Sequence, residues 1–514
     1  MKSILVVLLF TFSLFLGKEG YGQNAQSSGK DFWFGYMENL SPGVNNTPEF
    51  IVQLFAIDAD ASVEIEIPGR NYKRNVFLMA EEVLDIQLPS FDLEPRGSGV
   101  TSSLAVHLTS SSNIDVVAIH SRAFFSATTR LLPTASLGTD HMILAAKDYR
   151  NQSPSSMLVV ATENDTEVKV CQSPCGAKGE FRFRLNQGET YQFQSPEDLT
   201  GTEIIGNKPI AVFSGAKQAA LVEGDDSHIY NAMPPLNYAD TVFAAVPHPR
   251  VKESSYLSIL SLSDDTRVTI GGNTVFVNRG EKRDVKFNVP LIIKGSKPFF
   301  VSQYNSGSSA FLMGGTFGPS VRLLVPLNSR VKKMSFNTKK DIEWYGFKLI
   351  HGLCIIAEDT TNLRLNTNPI SNFIKIPNSV YFYSTQVIDS GTYNLESPVG
   401  FIGNVYGSSP AEYYTFSLGY NDSLLVNSRI QSASDDCSNW RIASNLNNGE
   451  FQILENGSAI DGSDFEIYDS RANLVYKNTY IKINKQVFKP NLAIGMYYLR
   501  FDSCNTTKKF VVKN

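Results

Sequence analysis

The stretch of sequence that decides the fold is SMLVVATENDTEV, residues 156–168. It begins with an apolar run, passes through a short acidic turn that contains threonine, and continues into a second run in which apolar and polar residues alternate. Apolar runs of this length bounded by turn residues are typical of β-strands. Asp and Thr side chains cap the backbone of a tight connection. The stretch therefore predicts two strands joined by an acidic corner.

The same pattern recurs along the chain. Residues 255–268 read SYLSILSLSDDTRV, and weaker copies lie at 50–67 and 353–365. The corner aspartates Asp60, Asp165, Asp265 and Asp359 are 105, 100 and 94 residues apart. After each corner a short loop and a further strand are predicted, at 113–118 (NIDVVA), 207–215 (NKPIAVFSG), 296–301 (SKPFFV) and 397–402 (SPVGFI). Proline at the start of such a strand fits a position that donates no ladder hydrogen bond.

The predicted fold class is all-β, with tandem antiparallel β-sandwich-like repeats followed by a small C-terminal β-sandwich. A repeat of about 100 residues is too long for a propeller blade of ~40 to 50 residues. Sandwich-like modules, packed around a pseudo-symmetry axis, are favoured instead. Proline-centred linkers divide residues 29–430 into about four units, near 31–130, 131–235, 236–325 and 326–430.

Composition narrows the class of partner. The chain has 514 residues, 42% of them hydrophobic, and 50 acidic residues against 46 basic ones give a net charge of -4. The charges are spread without blocks, so the sequence predicts no nucleic-acid partner and no anionic lipid surface.

The amino-terminal end resembles an export signal. Lys2 precedes an apolar run of about a dozen residues, which is too short to span ~30 Å of hydrocarbon. We expect residues 1–22 to be a cleaved signal peptide, with a permanent anchor as the alternative. No later run is long enough for a membrane helix, so no stable membrane span is expected, and the predicted location is secreted or attached to the outer cell surface.

Residues 440–514 change character and consist of short alternating runs. They include DFEIYD at 464–469, GMYYLR at 495–500 and KKFVVK at 508–513. This order of strands resembles the C-terminal sorting domain of type IX secretion, although Arg471-Ala472-Asn473 stands where a glycine is usual. The resemblance implies type IX secretion machinery as a partner, passage through the outer membrane and removal of the domain. The alternative is an ordinary C-terminal β-sandwich that is not removed and remains part of the mature protein.

The central region also carries a family resemblance. GKDFWFGY at 29–36, the Lys-Pro-Ile strand that runs to Gly215, DSH at 226–228 and MPP at 233–235 resemble the amino-terminal domain of the IgG Fc-binding protein family. The resemblance covers about residues 29–425. It implies an exported protein, but it is not evidence that this protein binds antibodies. The family's usual cysteine beside the Asp-His pair is absent from this sequence.

Few residues of the sequence are candidates for catalysis or metal binding. The densest polar cluster consists of Glu223, Asp225, Asp226 and His228, which could ligate a cation or perform acid-base chemistry. The alternative is a solvated loop in which His228 bonds backbone and fixes the linker. The acidic corners could each hold calcium, but one or two carboxylates are too few ligands. We therefore predict no catalytic residue, no metal and no cofactor.

Five cysteines in an exported chain permit disulfides. Cys171 and Cys175 flank a three-residue turn and are the first candidate pair. Cys437 and Cys504 bracket the terminal domain and are a weaker candidate pair. Cys354 is predicted to be a buried free thiol. The aromatic residues of segment 32–36 are expected to pack in the core.

The sequence favours a non-enzymatic binding or adhesion protein that recognises an extracellular protein or glycan through its repeated β-surfaces. Repeated modules provide extended surfaces and avidity. One alternative is a glycan-active hydrolase with a carboxylate pair in a groove between units. Another is a structural component of a surface layer.

Overall fold

The structure is a computed structural model. It describes residues 27–512 except 40–46, 90–91, 123–124, 176–178, 223–225, 249–254, 306–317, 341–347, 410–411, 421–439, 446–449, 456–463, 470–473, 480–486, 489–491, 494 and 502–506. The proposed signal peptide lies outside the described residues.

Strands occupy most of the described chain. The first group is β1 Gly29–Phe34, β2 Glu49–Ala56, β3 Ala61–Ile67, β4 Tyr72–Leu78, β5 Val83–Gln87, β6 Val100–Ser102, β7 Val106–Arg122 and β8 Phe125–Arg130. The second group is β9 Gly138–Met142, β10 Ser155–Ala161, β11 Thr166–Cys171, β12 Glu180–Leu185, β13 Thr190–Ser195, β14 Glu203–Ala219 and β15 Ser227–Met233. The third group is β16 Asp240–Ala245, β17 Ser255–Ser261, β18 Thr266–Ile270, β19 Asn273–Val277, β20 Lys282–Phe287, β21 Leu291–Asn305 and β22 Val321–Leu323.

The remaining strands complete the fold. The fourth group is β23 Val331–Asn337, β24 Ile350–Ala357, β25 Arg364–Leu365, β26 Asn368–Pro369, β27 Ile374–Lys375, β28 Phe382–Ile388, β29 Thr392–Ser409 and β30 Glu412–Ser417. The last group is β31 Trp440–Asn445, β32 Glu450–Glu455, β33 Asp464–Asp469, β34 Leu474–Thr479, β35 Val487–Phe488, β36 Gly495–Phe501 and β37 Thr507–Val512. Short 3-10 turns lie at Pro68–Arg70, Thr134–Ser136 and Leu236–Tyr238. No helix in the described part of the chain is long and apolar enough to cross a bilayer.

Each of the first four groups forms one large antiparallel sheet around a long strand, namely β7, β14, β21 or β29, except that β6 of the first group pairs with β13 in the second sheet. The first half of each long strand pairs with an opening strand (β1, β9, β16, β23) and with a second corner strand (β3, β11, β18, β25). The second half pairs with a first corner strand (β2, β10, β17, β24) and with a closing strand (β8, β15, β22, β30). We call these the first to fourth sheets.

The last group forms two smaller sheets, with the strand orders β31-β32-β35 and β34-β33-β36-β37. The prediction of an all-β fold with tandem sandwich-like repeats and a small C-terminal β-sandwich is confirmed.

All four acidic corners connect the first corner strand to the second. Asp165 and Asp265 adopt left-handed backbone angles, with φ of 53° and 51°, which Asp tolerates better than most residues. The following threonines are fully buried. Thr166 Oγ donates a hydrogen bond to the Glu163 carbonyl at 2.7 Å, and Thr266 Oγ donates to the Ser263 carbonyl at 2.8 Å.

Each long strand changes partners at a break in its register. The opening strand skips residues 110–113, 206–209, 295–298 and 397–400 of the four long strands. The sequence predicts a loop at these positions, whereas the structure keeps all four breaks within the long strand. The reason is that the opposite edge of the long strand still has neighbours, because the corner packs against it.

The corners supply those neighbours in the same way in three sheets. The Glu167 N–H donates to Asn207 Oδ1 at 2.9 Å, and the Arg267 N–H donates to Ser296 Oγ at 3.0 Å. The equivalent Ser62 N–H donates to the hydroxyl of a serine in the first long strand at 2.9 Å. The lysine before each proline completes the contact, since Lys208 Nζ and Lys297 Nζ donate to corner carbonyls at 2.6 and 2.7 Å.

The four sheets close into a ring through their closing strands. These strands contact one another in the cyclic order β8, β15, β22, β30 and back to β8. Thr128 Oγ donates to the Thr415 carbonyl at 2.8 Å, and Ser417 Oγ donates to the Leu323 carbonyl at 2.6 Å. The described start of the chain adds a further link, because the Ser27 N–H donates to the Tyr420 carbonyl at 3.1 Å.

If the corners are equivalent, removing the same hydroxyl from two of them will have the same effect. We expect Thr166→Val and Thr266→Val each to lower the free energy of unfolding by about 1 kcal/mol, because each removes the buried hydrogen bond to the corner carbonyl. Thr266→Val also removes the bond that its hydroxyl accepts from Ser261 Oγ at 2.6 Å, so its loss will be at least as large. Urea unfolding of the single variants measures this. Thr101→Val, at an exposed threonine, is the control and will change stability by less than ~0.5 kcal/mol. A loss at only one corner contradicts the equivalence.

Candidate binding surfaces

The predicted polar cluster is divided by the fold. Glu223 and Asp225 lie outside the described residues. Asp226 forms an ion pair with Arg150 and accepts a hydrogen bond from Gln218 Nε2 at 2.7 Å. His228 is buried, and its Nδ1 lies 3.1 Å from the Ala216 carbonyl of the neighbouring long strand. The imidazole therefore bonds backbone, as one interpretation expected, but it holds the long strand and not the linker.

A buried charge network that the sequence did not predict lies beside His228. Glu94 is at its centre, with Arg122 NH2 at 2.7 Å and His120 Nε2 at 2.9 Å from Oε1, and all three side chains are fully buried. Arg96 NH1 lies 2.8 Å from the other carboxylate oxygen. Burial opposes ionisation of Glu94, but the charges of His120, Arg122 and Arg96 outweigh it and hold the pKa of Glu94 at about 2.

The network continues into the second sheet. The rings of His120 and His228 meet edge to face with centroids 4.8 Å apart. Burial, reinforced by the nearby charge of His120, lowers the pKa of His228 to about 3. Glu38, which follows β1, lies 2.8 Å from Lys217 Nζ in β14. These contacts fix the junction of the first and second sheets, and no local motif signals them because the partners are far apart in sequence.

The aromatic segment at the start of the chain is part of the core. Phe32, Trp33, Phe34 and Tyr36 are each at most 5% exposed. Trp33 stacks on His107 with ring centroids 3.9 Å apart. These side chains are therefore buried and do not offer a surface for a ligand.

The cysteines fall into three groups. Cys171 and Cys175 form a disulfide, with Cα atoms 5.2 Å apart. Cys354 is buried as a free thiol, and burial raises its pKa to about 12. The Cys354 thiol is therefore in the inert, protonated form at neutral pH. Cys437 and Cys504 lie outside the described residues.

The acidic corners lie at the surface, and carboxylates of two of them accept backbone hydrogen bonds from a neighbouring turn. Asp264 Oδ1 accepts the Arg279 N–H at 3.1 Å, and Asp60 Oδ1 accepts the Ala80 N–H at 2.9 Å. Within the described ranges no group of three His, Cys, Asp or Glu side chains is arranged to hold a metal ion. Asp60 and Asp264 thus fix the turn of the next hairpin.

Two exposed phenylalanines stand beside the corners. Phe77 lies opposite Ser62 in the first sheet, and Phe276 lies opposite Arg267 in the third. The two positions are equivalent in the repeat, and the side chains are 59% and 65% exposed. Arg184 occupies this position in the second sheet and pairs with the corner residue Glu167.

A groove between the first and fourth sheets contains the carboxylates Asp58 and Asp115. Each is paired with a cation. Asp115 Oδ1 lies 3.1 Å from Arg130 NH1, and Asp58 Oδ1 lies 3.4 Å from Lys333 Nζ. The two carboxylates are thus neutralised by separate cations.

The fold and these surfaces define an all-β protein of repeated sheets that presents acidic corners at its surface. The chain belongs to the IgGFc binding protein family, whose profile matches residues 127–407. The match runs from the closing strand of the first sheet to the long strand of the fourth.

Comparison with individual proteins gives distant relatives. The human IgGFc-binding protein is 23% identical over 295 residues, which are 55% of this chain and 5% of that protein. The chain thus spans about a twentieth of the length of this curated relative. A biofilm-associated protein BSP domain aligns with 95% of this chain and 96% of its own at 9% identity, with a TM-score of 0.13. Native E. coli alpha-2-macroglobulin aligns with 95% of this chain and 40% of its own at 8% identity and the same TM-score. These scores are too low to define a shared fold.

The depressed pKa of His228 predicts acid sensitivity. Between pH 6.5 and about 3 the unfolded state binds a proton that folded His228 does not, so stability falls as the pH falls through this window. Glu94 adds to the loss only below its ordinary pKa of 4.5. We expect His228→Gln to lose about 2 kcal/mol less than the wild type when the pH drops from 7.5 to 5. Urea unfolding at both pH values tests this, and an equal loss in both proteins contradicts it.

Proposed function

We propose that the chain is an exported binding protein that contacts an extracellular protein or glycan through the corner surfaces of its ring. Membership of the IgGFc binding protein family supports a role in binding. The single observation that carries the proposal is the equivalent exposure of Phe77 and Phe276. No antibody ligand is implied.

Exposure of a large apolar side chain to water is unfavourable. A phenylalanine side chain that is more than half exposed leaves apolar area in water, and burying it against a partner is favourable by about 25 cal/mol per Å². Aromatic anchors surrounded by polar groups are typical of binding hot spots. Here each phenylalanine stands beside an exposed acidic corner, which provides that polar surround.

The arrangement of the two anchors strengthens the proposal. They lie on the first and third sheets, which are alternate members of a closed ring. A ring of packed sheets holds the anchors at a fixed separation, so a partner with repeated epitopes could engage both. Two such contacts raise the overall affinity beyond that of either one.

Export completes the proposed role. Residues 1–22 would act as a cleaved signal peptide and residues 440–514 as a type IX sorting domain. The sequence features of the sorting domain fall on strands, since β33 carries the Ile-Tyr-Asp element and pairs with β36, which carries the Gly-Met-Tyr-Tyr-Leu element. The proposed location is the outer surface or the medium.

Binding is tested with the chain from residue 23 onward on an array of extracellular glycans and proteins. For a captured partner we expect Phe77→Ala and Phe276→Ala each to weaken binding about tenfold, and the double variant to weaken it further through lost avidity. Tyr149→Ala, at a residue that is 60% exposed away from the corners, is the matched control. Unchanged binding in the double variant would exclude the corners as the contact surface.

The proposed export route has its own test. In a bacterium with type IX machinery we expect the full chain to reach the medium or cell surface, and a chain that ends at residue 439 to stay in the periplasm. Fractionation and immunoblotting measure the distribution. Surface delivery of the shortened chain would show that residues 440–514 are not the sorting signal.

A further inference from the structure

A cavity with a volume of about 660 Å³ lies at the ring closure, between the first and fourth sheets. Its walls come from four segments. They are residues 27–30 at the beginning of β1, the first corner at 57–59, the register break of β7 at 112–115, and the opening strand β23 at 331–334 together with Tyr420. This volume is in the range of small-ligand pockets, roughly 300 to 1,000 Å³.

The cavity is located where the repeat is broken. After the closing strands of the first and second sheets, a proline turn packs tightly on the opening strand. A Cβ added at Gly29 would lie 2.4 Å from Pro133 Cβ, and one at Gly138 would lie 2.6 Å from Pro235 Cβ. These junctions therefore leave no room even for a methyl group.

The fourth sheet has a different residue at the proline position. Leu131, Leu324 and Leu418 each donate the same backbone hydrogen bond to their long strand, at 2.9, 2.9 and 2.8 Å. Two residues after the leucine, the chain has Pro133 in the first sheet and Pro326 in the third sheet, but Tyr420 in the fourth. The Tyr420 ring turns to meet Tyr238 edge to face at 5.7 Å. The space beside Val331, which no proline covers, is part of the cavity.

The charges on the cavity wall do not balance. Asp115 is paired with Arg130, and Asp58 shares Lys333 with Glu81. Lys30 and Lys332 also line the cavity and are exposed, and no carboxylate in the described part of the chain lies within 4.0 Å of either ammonium group. Two positive charges that have no carboxylate partner among the described residues thus line one cavity.

Neutral polar groups lie beside these lysines. Ser28 and Asn113 line the cavity without a side-chain hydrogen bond to any described residue. A hydroxyl and a primary amide can both donate and accept hydrogen bonds. The wall therefore matches a ligand that carries several hydroxyl groups as well as an anionic group.

We infer that this cavity binds an acidic saccharide, in which a carboxylate or sulfate lies between Lys30 and Lys332 and the sugar hydroxyls bond Ser28 and Asn113. The inference rests on the proposed function, because an extracellular protein is the kind that meets such glycans. It assigns a ligand class to a site separate from the exposed phenylalanines.

The test uses the chain from residue 23 onward and isothermal titration calorimetry at low salt. The probes are a uronic-acid tetrasaccharide, a sulfated tetrasaccharide, a neutral tetrasaccharide of equal length and a glutamate tetrapeptide. We expect at least one acidic saccharide to bind at least tenfold more tightly than the neutral one, and to weaken as salt screens the charges. The two acidic probes distinguish carboxylate from sulfate. Equal binding of the tetrapeptide, or no binding of either acidic saccharide, overturns the inference.

Variants locate the binding. Lys30→Gln and Lys332→Gln will each weaken the acidic saccharide at least fivefold, whereas Lys294→Gln, at an exposed lysine in β21, will not. Asn113→Trp keeps both lysines but fills the cavity, and it will also abolish binding. Each variant must melt at the wild-type temperature. If these variants bind normally while the phenylalanine variants lose an array partner, the proposed function stands and the cavity inference fails.

Discussion

The whole ring depends on the way each long strand exchanges one set of neighbours for another halfway along its length. At that point the opening strand skips four residues of the long strand. The acidic corner approaches from the other edge, and its N–H groups donate to side chains at the break, Asn207 Oδ1 and Ser296 Oγ. Proline is tolerated at the break because no ladder hydrogen bond is required there. The corner and the break therefore form one structural unit, although 40 residues separate Glu167 from Asn207 in the second sheet.

A buried ion pair holds the ring closed. Arg130 ends the closing strand β8, where its Nε donates to the Ser417 carbonyl at 2.9 Å and its NH1 faces Asp115. Burial lowers the pKa of Arg130, and the charge of Asp115 opposes that shift. Removing one partner of such a pair leaves an uncompensated buried charge, which costs about 3 to 5 kcal/mol. The first and fourth sheets are thus held in a specific register at the point where the ring is completed.

Local patterns predicted the repeating parts of this fold. The threonine and aspartate of the second and third corners act within four residues, and a Lys-Pro pair marks the break in the same two sheets, so both can be detected by a short window of sequence. The continuity of the long strand through the break was not predicted, because a loop and a bulged strand have the same residue types. The Glu94, His120 and Arg122 network was not predicted either, since its members belong to different elements and carry no common spacing. His228 was singled out by its acidic neighbours, yet the partner that matters most to its pKa, after burial, is His120.

The departures from the repeat are more informative about recognition than the repeat itself. Where Gly29 meets Pro133, or Gly138 meets Pro235, packing leaves no volume for a side chain, and a junction so filled cannot accept a ligand. The third junction is closed differently, by Asn328 Nδ2 at 3.4 Å from Asp240 Oδ2. Only the fourth junction has an aromatic residue in place of the proline, and there the wall carries lysines instead of a close-packed glycine. A ring built from equal units thus gains a distinct site at the junction where Tyr420 replaces the proline of the linker, between the fourth sheet and the first.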